Sequence, residues 1–327
     1  MPILPSNFSP TIPFRNGHFN TMYRPLFMKG FVKYKRERLH TWDNDFLDLD
    51  FSKVGSKTLA VLIHGLEGSS SSHYITATIK HLNNKNLDAV CINLRGCSGE
   101  DNNLLATYHS GKTEDVSFVM NHLLDKYSYE NIVIIGFSLG GNLTLKYLGE
   151  QGKELPSEIK GGIACSVPVD IASAEKEMDK LKNKLYMEVF FKTMKNKILE
   201  KAHKFPEYKL DKDKLFKATK FKHLEHLYTV PVFGFESPED YWQKASSKPY
   251  IPSINRPALL INAKDDTFLS KECYPKEEAK TSDNFYLEIT KYGGHCGFMS
   301  SFKPSDNTWL EERIARFIQR NINIDMP

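Results

Sequence analysis

Six short runs of almost uninterrupted apolar residues, each closed by a turn signal, constrain this chain more than any other feature. They lie at 58–63 (TLAVLI), 87–94 (LDAVCINL), 131–137 (NIVIIGF), 161–169, 258–263 (ALLINA) and 285–290 (FYLEIT). Runs of this length without polar alternation suit strands covered on both faces, the environment of a parallel sheet. Between several of them the apolar spacing turns helical. Val116, Val119, Met120, Leu123 and Leu124 share a face in 113–127, and Leu310, Ile314 and Ile318 do so in 309–320. A further helix is expected over 139–150, after a glycine-rich turn. Strand alternating with helix argues for an α/β fold with a mostly parallel central sheet flanked by helices. Upstream, 36–43 and 46–51 flank Asn44-Asp45 and read as an antiparallel hairpin at the sheet edge.

One stretch breaks the alternation. From 171 to 251 no buried-strand run occurs, and Leu181, Leu185, Met187, Phe190, Phe191, Met194 and Ile198 recur at helical spacing. The expected organisation is a core of 1–170 and 252–327, with an N-terminal extension over 1–35, interrupted by a mostly helical cap insertion at 171–251. The insertion holds 17 lysines, no arginine and 12 acids, a net +5, so the positive charge of the chain, +4 overall, belongs to it. Lysines interleaved with acids read as a solvated helix face, and no nucleic-acid partner is expected. No apolar run reaches the ~18 residues of a membrane-crossing helix, and the first ten residues lack a secretory pattern. The five cysteines include no CxxC pair, which fits reduced thiols and a cytoplasmic location.

Gly136-Phe137-Ser138-Leu139-Gly140 follows the run NIVII and precedes a helical segment. A G-x-S-x-G turn between strand and helix is the setting of a nucleophile elbow, which lifts a serine hydroxyl above the strand ends. That hydroxyl needs a base, and the base needs a carboxylate to orient it. Asp265 and Asp266 directly follow ALLINA, and His295 follows FYLEIT within GGHCG. The order serine, acid, histidine fits this fold, and all three lie on loops at the carboxyl ends of strands. Asp266, later in its loop, is the expected histidine partner, with Asp265 as a loop or cap residue. Two N–H donors must face the developing oxyanion. Leu139 directly after the serine and Leu66 in the loop His64-Gly65-Leu66-Glu67-Gly68 are the candidates. His64 reads as a locally bonded residue rather than a base.

Together HGLEG, RGCSGE, YHSGKTEDV, GFSLGGN, INAKDD and GGHCGF resemble the YheT-like α/β-hydrolases, relatives of the ABHD group of lipid and ester hydrolases. The resemblance spans most of the chain, including Asn16-Gly17-His18-Phe19-Asn20-Thr21, similar to the family's NPHxQT element. It implies an α/β-hydrolase fold with a helical cap and a Ser138–Asp266–His295 triad. Thr267 stands where the family usually has proline, and Gly17 and Asn20 replace its proline and glutamine. Arg95, Tyr108, His109, Asp115 and Asn142 fall inside the shared motifs and read as braces for the elbow.

The expected function is a serine carboxylesterase or lipase-like enzyme acting on short- to medium-chain or lipid-like esters, requiring no cofactor and no metal. The same constellation serves thioesters and amides, and a non-catalytic ligand-binding protein is the alternative outside enzymes. The cap, or Phe14, Phe19, Tyr23 and Phe27, offers a surface for weak peripheral membrane contact, with cover of the core domain as the equal alternative for these aromatics; the sequence sets no oligomeric state.

Overall fold

The computed structural model describes residues 3–28 and 30–326. Residues 1, 2, 29 and 327 of the expected core fall outside this range. Among the described residues nine strands form one sheet: β1 (Ile3–Leu4), β2 (Lys35–His40), β3 (Phe46–Ser52), β4 (Thr58–Ile63), β5 (Asp88–Asn93), β6 (Asn131–Phe137), β7 (Ile159–Cys165), β8 (Ala258–Ala263) and β9 (Phe285–Thr290). Their order is β1-β9-β8-β7-β6-β4-β5-β3-β2. Every pairing from β1 through β5 is parallel, while β3 runs antiparallel to β5 and β2. The hairpin of β2 and β3 thus closes one edge. Its turn sets Asn44 at φ +63, a conformation that asparagine tolerates better than most residues.

The central strands alternate between two buried layers. In β4, Leu59, Val61 and Ile63 join one cluster while Ala60 and Leu62 join the other. The first cluster takes Val116, Val119 and Met120 from the helix Thr113–Lys126 and Leu143 from the helix Leu139–Gln151. The second takes Ile75, Ile79 and Leu82 from the helix His73–Asn84 and Leu310, Ile314 and Ile318 from the helix Trp309–Asn321. Burial on both faces explains why the strands lack polar alternation. The run expected at 161–169 begins earlier and ends earlier, as β7. Ser166 at φ +55 leaves the extended conformation and turns the chain towards the site.

Between β7 and β8 the chain forms helical segments, among them Ile171–Met178, Lys184–Lys204 and Pro238–Ala245. Met187, Phe191 and Ile198 bury their side chains with Leu215, Phe221, Leu224 and Phe268. Leu181 and Leu185 share the helical spacing but not the burial: they are 84% and 77% exposed. The expected apolar face is therefore narrower at its N-terminal end.

The N-terminal segment is built into the core. Asn16 caps the helix Gly17–Phe27 by accepting the Phe19 N–H at 3.0 Å. Buried Asn20 donates to the carbonyls of Phe14 (2.8 Å) and Met299 (3.1 Å) and accepts the Met299 N–H (2.9 Å). Arg24 donates to the Gly297 carbonyl at 3.1 Å and pairs with Glu311. Phe14, Phe19 and Tyr23 pack edge-on with Phe302, which is 59% exposed, and Phe27 is 67% exposed. No helix among the described residues is long and apolar enough to cross a membrane. All five cysteines are buried and free.

Buried Arg95 ties the hairpin turn to the helix Thr113–Lys126. It grips Asp115 through two bonds of 2.8 and 2.7 Å and reaches Asp43 at 2.8 Å and Asp45 at 3.1 Å. Removing the guanidinium strands acids in low dielectric. Arg95→Ala is predicted to lower stability by about 3–5 kcal/mol, read as a fall in the denaturant midpoint with unchanged slope.

Candidate active site

The turn after β6 holds Ser138 at φ +53 and ψ −120, a strained conformation for a residue with a side chain. Its neighbours make the turn possible. A Cβ at Gly136 would sit 2.1 Å from the Gly140 carbonyl oxygen, and one at Gly140 would sit 2.2 Å from the Ile63 carbonyl oxygen. Only hydrogen fits at either position. The Ser138 N–H donates to the Cys165 carbonyl at 2.8 Å, so the end of β7 fixes the turn from the side.

His295 Nε2 lies 2.9 Å from Ser138 Oγ, and its Nδ1 lies 2.8 Å from Asp266 Oδ2. A carboxylate can only accept, so Nδ1 carries the proton and Nε2 faces the hydroxyl with its lone pair. The other carboxylate oxygen of Asp266 accepts the Phe268 N–H at 2.9 Å, which fixes the orientation of the group. Thr267 stands in the former proline position, and its carbonyl accepts from Asn183 at 2.7 Å. The loop is thus held from outside rather than by a fixed φ.

Asp265 turns the opposite way from its neighbour. Its Oδ1 accepts the Gly294 N–H at 2.9 Å, while its buried Oδ2 has no partner among the described residues. Burial, reinforced by the nearby Asp266 charge, raises its pKa to about 6. The histidine loop is braced by residues to which no sequence signal assigned a role. The His295 N–H donates to Thr21 Oγ1 at 2.8 Å, and the Cys296 N–H donates to Ser166 Oγ at 2.9 Å. The Phe268 ring lies 4.6 Å from the imidazole. The one available hint was the N-terminal NGHFNT element, which contains Thr21.

The other motif residues serve as braces. His64 accepts the Leu94 N–H at Nε2 (3.1 Å) and donates from Nδ1 to the Gly65 carbonyl (2.8 Å). Both nitrogens are occupied, and burial lowers its pKa to about 4, so it stays neutral. Asn142 donates to the carbonyls of Ser110 and Ala245, each at 2.8 Å, and accepts the Ser247 N–H. His109 packs against Phe233, Phe235 and Tyr241.

The two expected oxyanion donors, Leu139 and Leu66, both line the cavity at Ser138. Leu139 opens its helix, so its N–H has no acceptor within that helix. In the loop after β4, the N–H groups of Gly65, Glu67 and Gly68 donate to Tyr74 Oη (3.0 Å), Tyr108 Oη (2.8 Å) and the Gly65 carbonyl (3.0 Å). Leu66 lies between them, and among the described residues its N–H has no acceptor. Ser138, His295, Leu66 and Leu139 line one cavity of about 480 Å³. Met22, Val189, Phe190, Met194 and Phe221 give it a mainly apolar wall, drawn from the N-terminal helix and the segments between β7 and β8.

A family model described as the alpha/beta hydrolase fold matches residues 60–302. The chain belongs to the α/β-hydrolase family. Within it, the chain is 30% identical over 320 residues to "Putative esterase YheT" of Escherichia coli (strain K12), covering 96% of this chain and 93% of that protein. It is 28% identical over 329 residues to "Phospholipase ABHD3" of Homo sapiens, covering 97% and 80%. Among solved structures, the hydrolase fold is shared with the Pyrococcus furiosus esterase Pf2001 at a TM-score of 0.61 and 20% identity, covering 89% of this chain and 91% of that one. This hydrolase therefore sits in the YheT and ABHD group that its motifs resemble.

The raised pKa of Asp265 has a consequence for stability. The folded hydrolase holds a proton there more tightly than the unfolded chain does, so this stabilisation is complete below the unfolded value near 3.8 and is lost as pH rises through about 6. Asp265→Asn, which cannot lose that proton, is predicted to melt progressively higher relative to wild type between pH 4 and 7. Calorimetric scans across that range read the difference, and parallel curves would contradict it.

Proposed function

We propose that this chain, an ester hydrolase of the esterase and lipase type, cleaves short- to medium-chain carboxylic or lipid-like esters through Ser138, His295 and Asp266. The reading is supported above all by the unbroken hydrogen-bonded line from Asp266 through His295 to Ser138 Oγ at the wall of an apolar cavity. Esterase and phospholipase names among the relatives agree with it.

In this reading Ser138 Oγ attacks the acyl carbon while His295 Nε2 takes its proton. Asp266 holds the imidazole tautomer and stabilises the imidazolium. The N–H groups of Leu66 and Leu139 receive the tetrahedral oxyanion, and the helix N-terminus at Leu139 favours negative charge there. His295 then protonates the leaving alkoxide. Water, deprotonated by the same nitrogen, attacks the acyl-enzyme and releases the acid. The transfer of the Ser138 proton uses groups already within hydrogen-bond reach.

Residues 171–251 act in this proposal as a cap. They supply Val189, Phe190 and Met194 to the cavity wall, so the acyl chain lies between cap and core. A cavity of about 480 Å³ suits a ligand of modest size.

Hydrolysis of p-nitrophenyl esters from acetate to palmitate tests the proposal. Wild type is expected to peak at short to medium chains. Ser138→Ala is expected to lose at least ~10³-fold in kcat, and Asp266→Asn about 10⁴-fold from the wrong imidazole tautomer. Equal rates in wild type and Ser138→Ala would overturn the assignment of the nucleophile.

A further inference from the structure

Lys197 is the one lysine or arginine among the described residues lining the Ser138 cavity. It comes from the helix Lys184–Lys204. Its Nζ is not free for substrate: it lies 2.9 Å from Glu67 Oε2 and 3.6 Å from Cys97 Sγ. Burial works against the charge on Lys197, but Cys97 and Glu67 outweigh it and hold the pKa above the usual lysine value. The ammonium is therefore charged and engaged with Glu67.

Glu67 directly follows Leu66 in the loop after β4. Its backbone stands at φ +55, where a side-chain-bearing residue persists only if its surroundings hold it. Tyr108 holds it twice: its Oη accepts the Glu67 N–H at 2.8 Å and donates to Glu67 Oε1 at 2.7 Å. The remaining carboxylate oxygen makes an ion pair with Lys197, at 2.9 Å but without hydrogen-bond geometry. Tyr108 is part of the core, whereas Lys197 belongs to the helical segments between β7 and β8. The peptide next to the Leu66 N–H is thus fixed jointly from both sides of the cavity.

We propose that Lys197 is a positioning residue: through Glu67 it lets the helical insertion set the direction of the Leu66 N–H, so that the oxyanion site is complete only when the insertion is docked. This rests on the reading of Leu66 as an oxyanion donor. The device differs from a substrate-binding lysine, because the ammonium is spent on a carboxylate of the loop itself. Core contacts to Thr21, Ser166 and Cys165 hold the histidine loop and the serine turn. Undocking the Lys197 end would therefore degrade the oxyanion site first and leave the hydrogen-bonded line of Ser138 and His295 in place.

The test uses the full chain and two readouts. One is hydrolysis of p-nitrophenyl butyrate. The other is inhibition by a butyl trifluoromethyl ketone, which adds to the serine and places an oxyanion between the two donors. Lys197→Met is expected to lower kcat by roughly 10-fold, less than the ~100-fold or more for complete loss of a donor, with KM unchanged. The ketone should weaken by the same factor. Lys197→Arg should restore most of the loss, and Glu67→Gln combined with Lys197→Met should cost little more than either alone. Lys197→Gln serves if the methionine variant fails to fold, as judged by its melting temperature.

An unchanged kcat in a folded Lys197→Met or Lys197→Gln protein would overturn the proposal. A rise in KM alone would make Lys197 a substrate-binding group, and a fall in kcat with unchanged ketone affinity would place the loss away from the oxyanion; either also overturns it. Ser138→Ala, run in parallel, separates the two failures. Undiminished activity there removes the serine reading itself, whereas its loss beside an intact Lys197→Met removes only the positioning role.

Discussion

The strained backbone at Ser138 is the constraint on which the rest of the site depends. A serine at φ +53 is costly by itself, on the order of 1–3 kcal/mol, and persists only where the surroundings over-determine it. Here the surroundings are the sheet. β4 and β7 flank β6, so the Ile63 carbonyl and the Cys165 carbonyl bound the turn on both sides. Gly136 and Gly140 are required because the polypeptide passes too close for any side chain. The apolar strands that make the sheet rigid thereby place the hydroxyl.

Given that turn, the partners follow from parallel connectivity. Strands that all run the same way bring their carboxyl-terminal loops to one edge. The loop after β8 brings Asp266, the loop after β9 brings His295, and the loop after β4 brings Leu66. The two adjacent aspartates then diverge. Asp266 is directed at the imidazole and is fixed by the Phe268 N–H, while Asp265 binds the Gly294 N–H and is kept protonated to higher pH by burial. Neighbouring acids with different surroundings perform different work, one oriented towards the histidine ring and one bracing the loop behind it.

How far the sequence revealed this molecule follows from the range of each interaction. The strands 58–63, 131–137, 258–263 and 285–290 were legible because burial on both faces leaves a continuous apolar run. Ser138, Asp266 and His295 were legible as a group because their chain order and strand-end positions follow from the connectivity, and the fold brings them within hydrogen-bond reach. Thr21 and Ser166 were not, since each acts through one hydrogen bond to a segment about 130 or more residues away in sequence. β7 starts before the apolar run at 161–169, and its first residue was not legible because the charged Lys160 separates Ile159 from that run. Leu181 and Leu185 misled because helical spacing records periodicity, and the buried partners on the opposite side begin only at Met187.

The central claim is that Ser138 is a nucleophile activated by His295. Treatment of the folded chain with a fluorophosphonate, followed by peptide mapping by mass spectrometry, tests it most directly. The account predicts one adduct, on the peptide containing Ser138, formed at a rate that collapses in His295→Ala. An adduct on another residue, or labelling of Ser138 that is indifferent to the loss of His295, would contradict it.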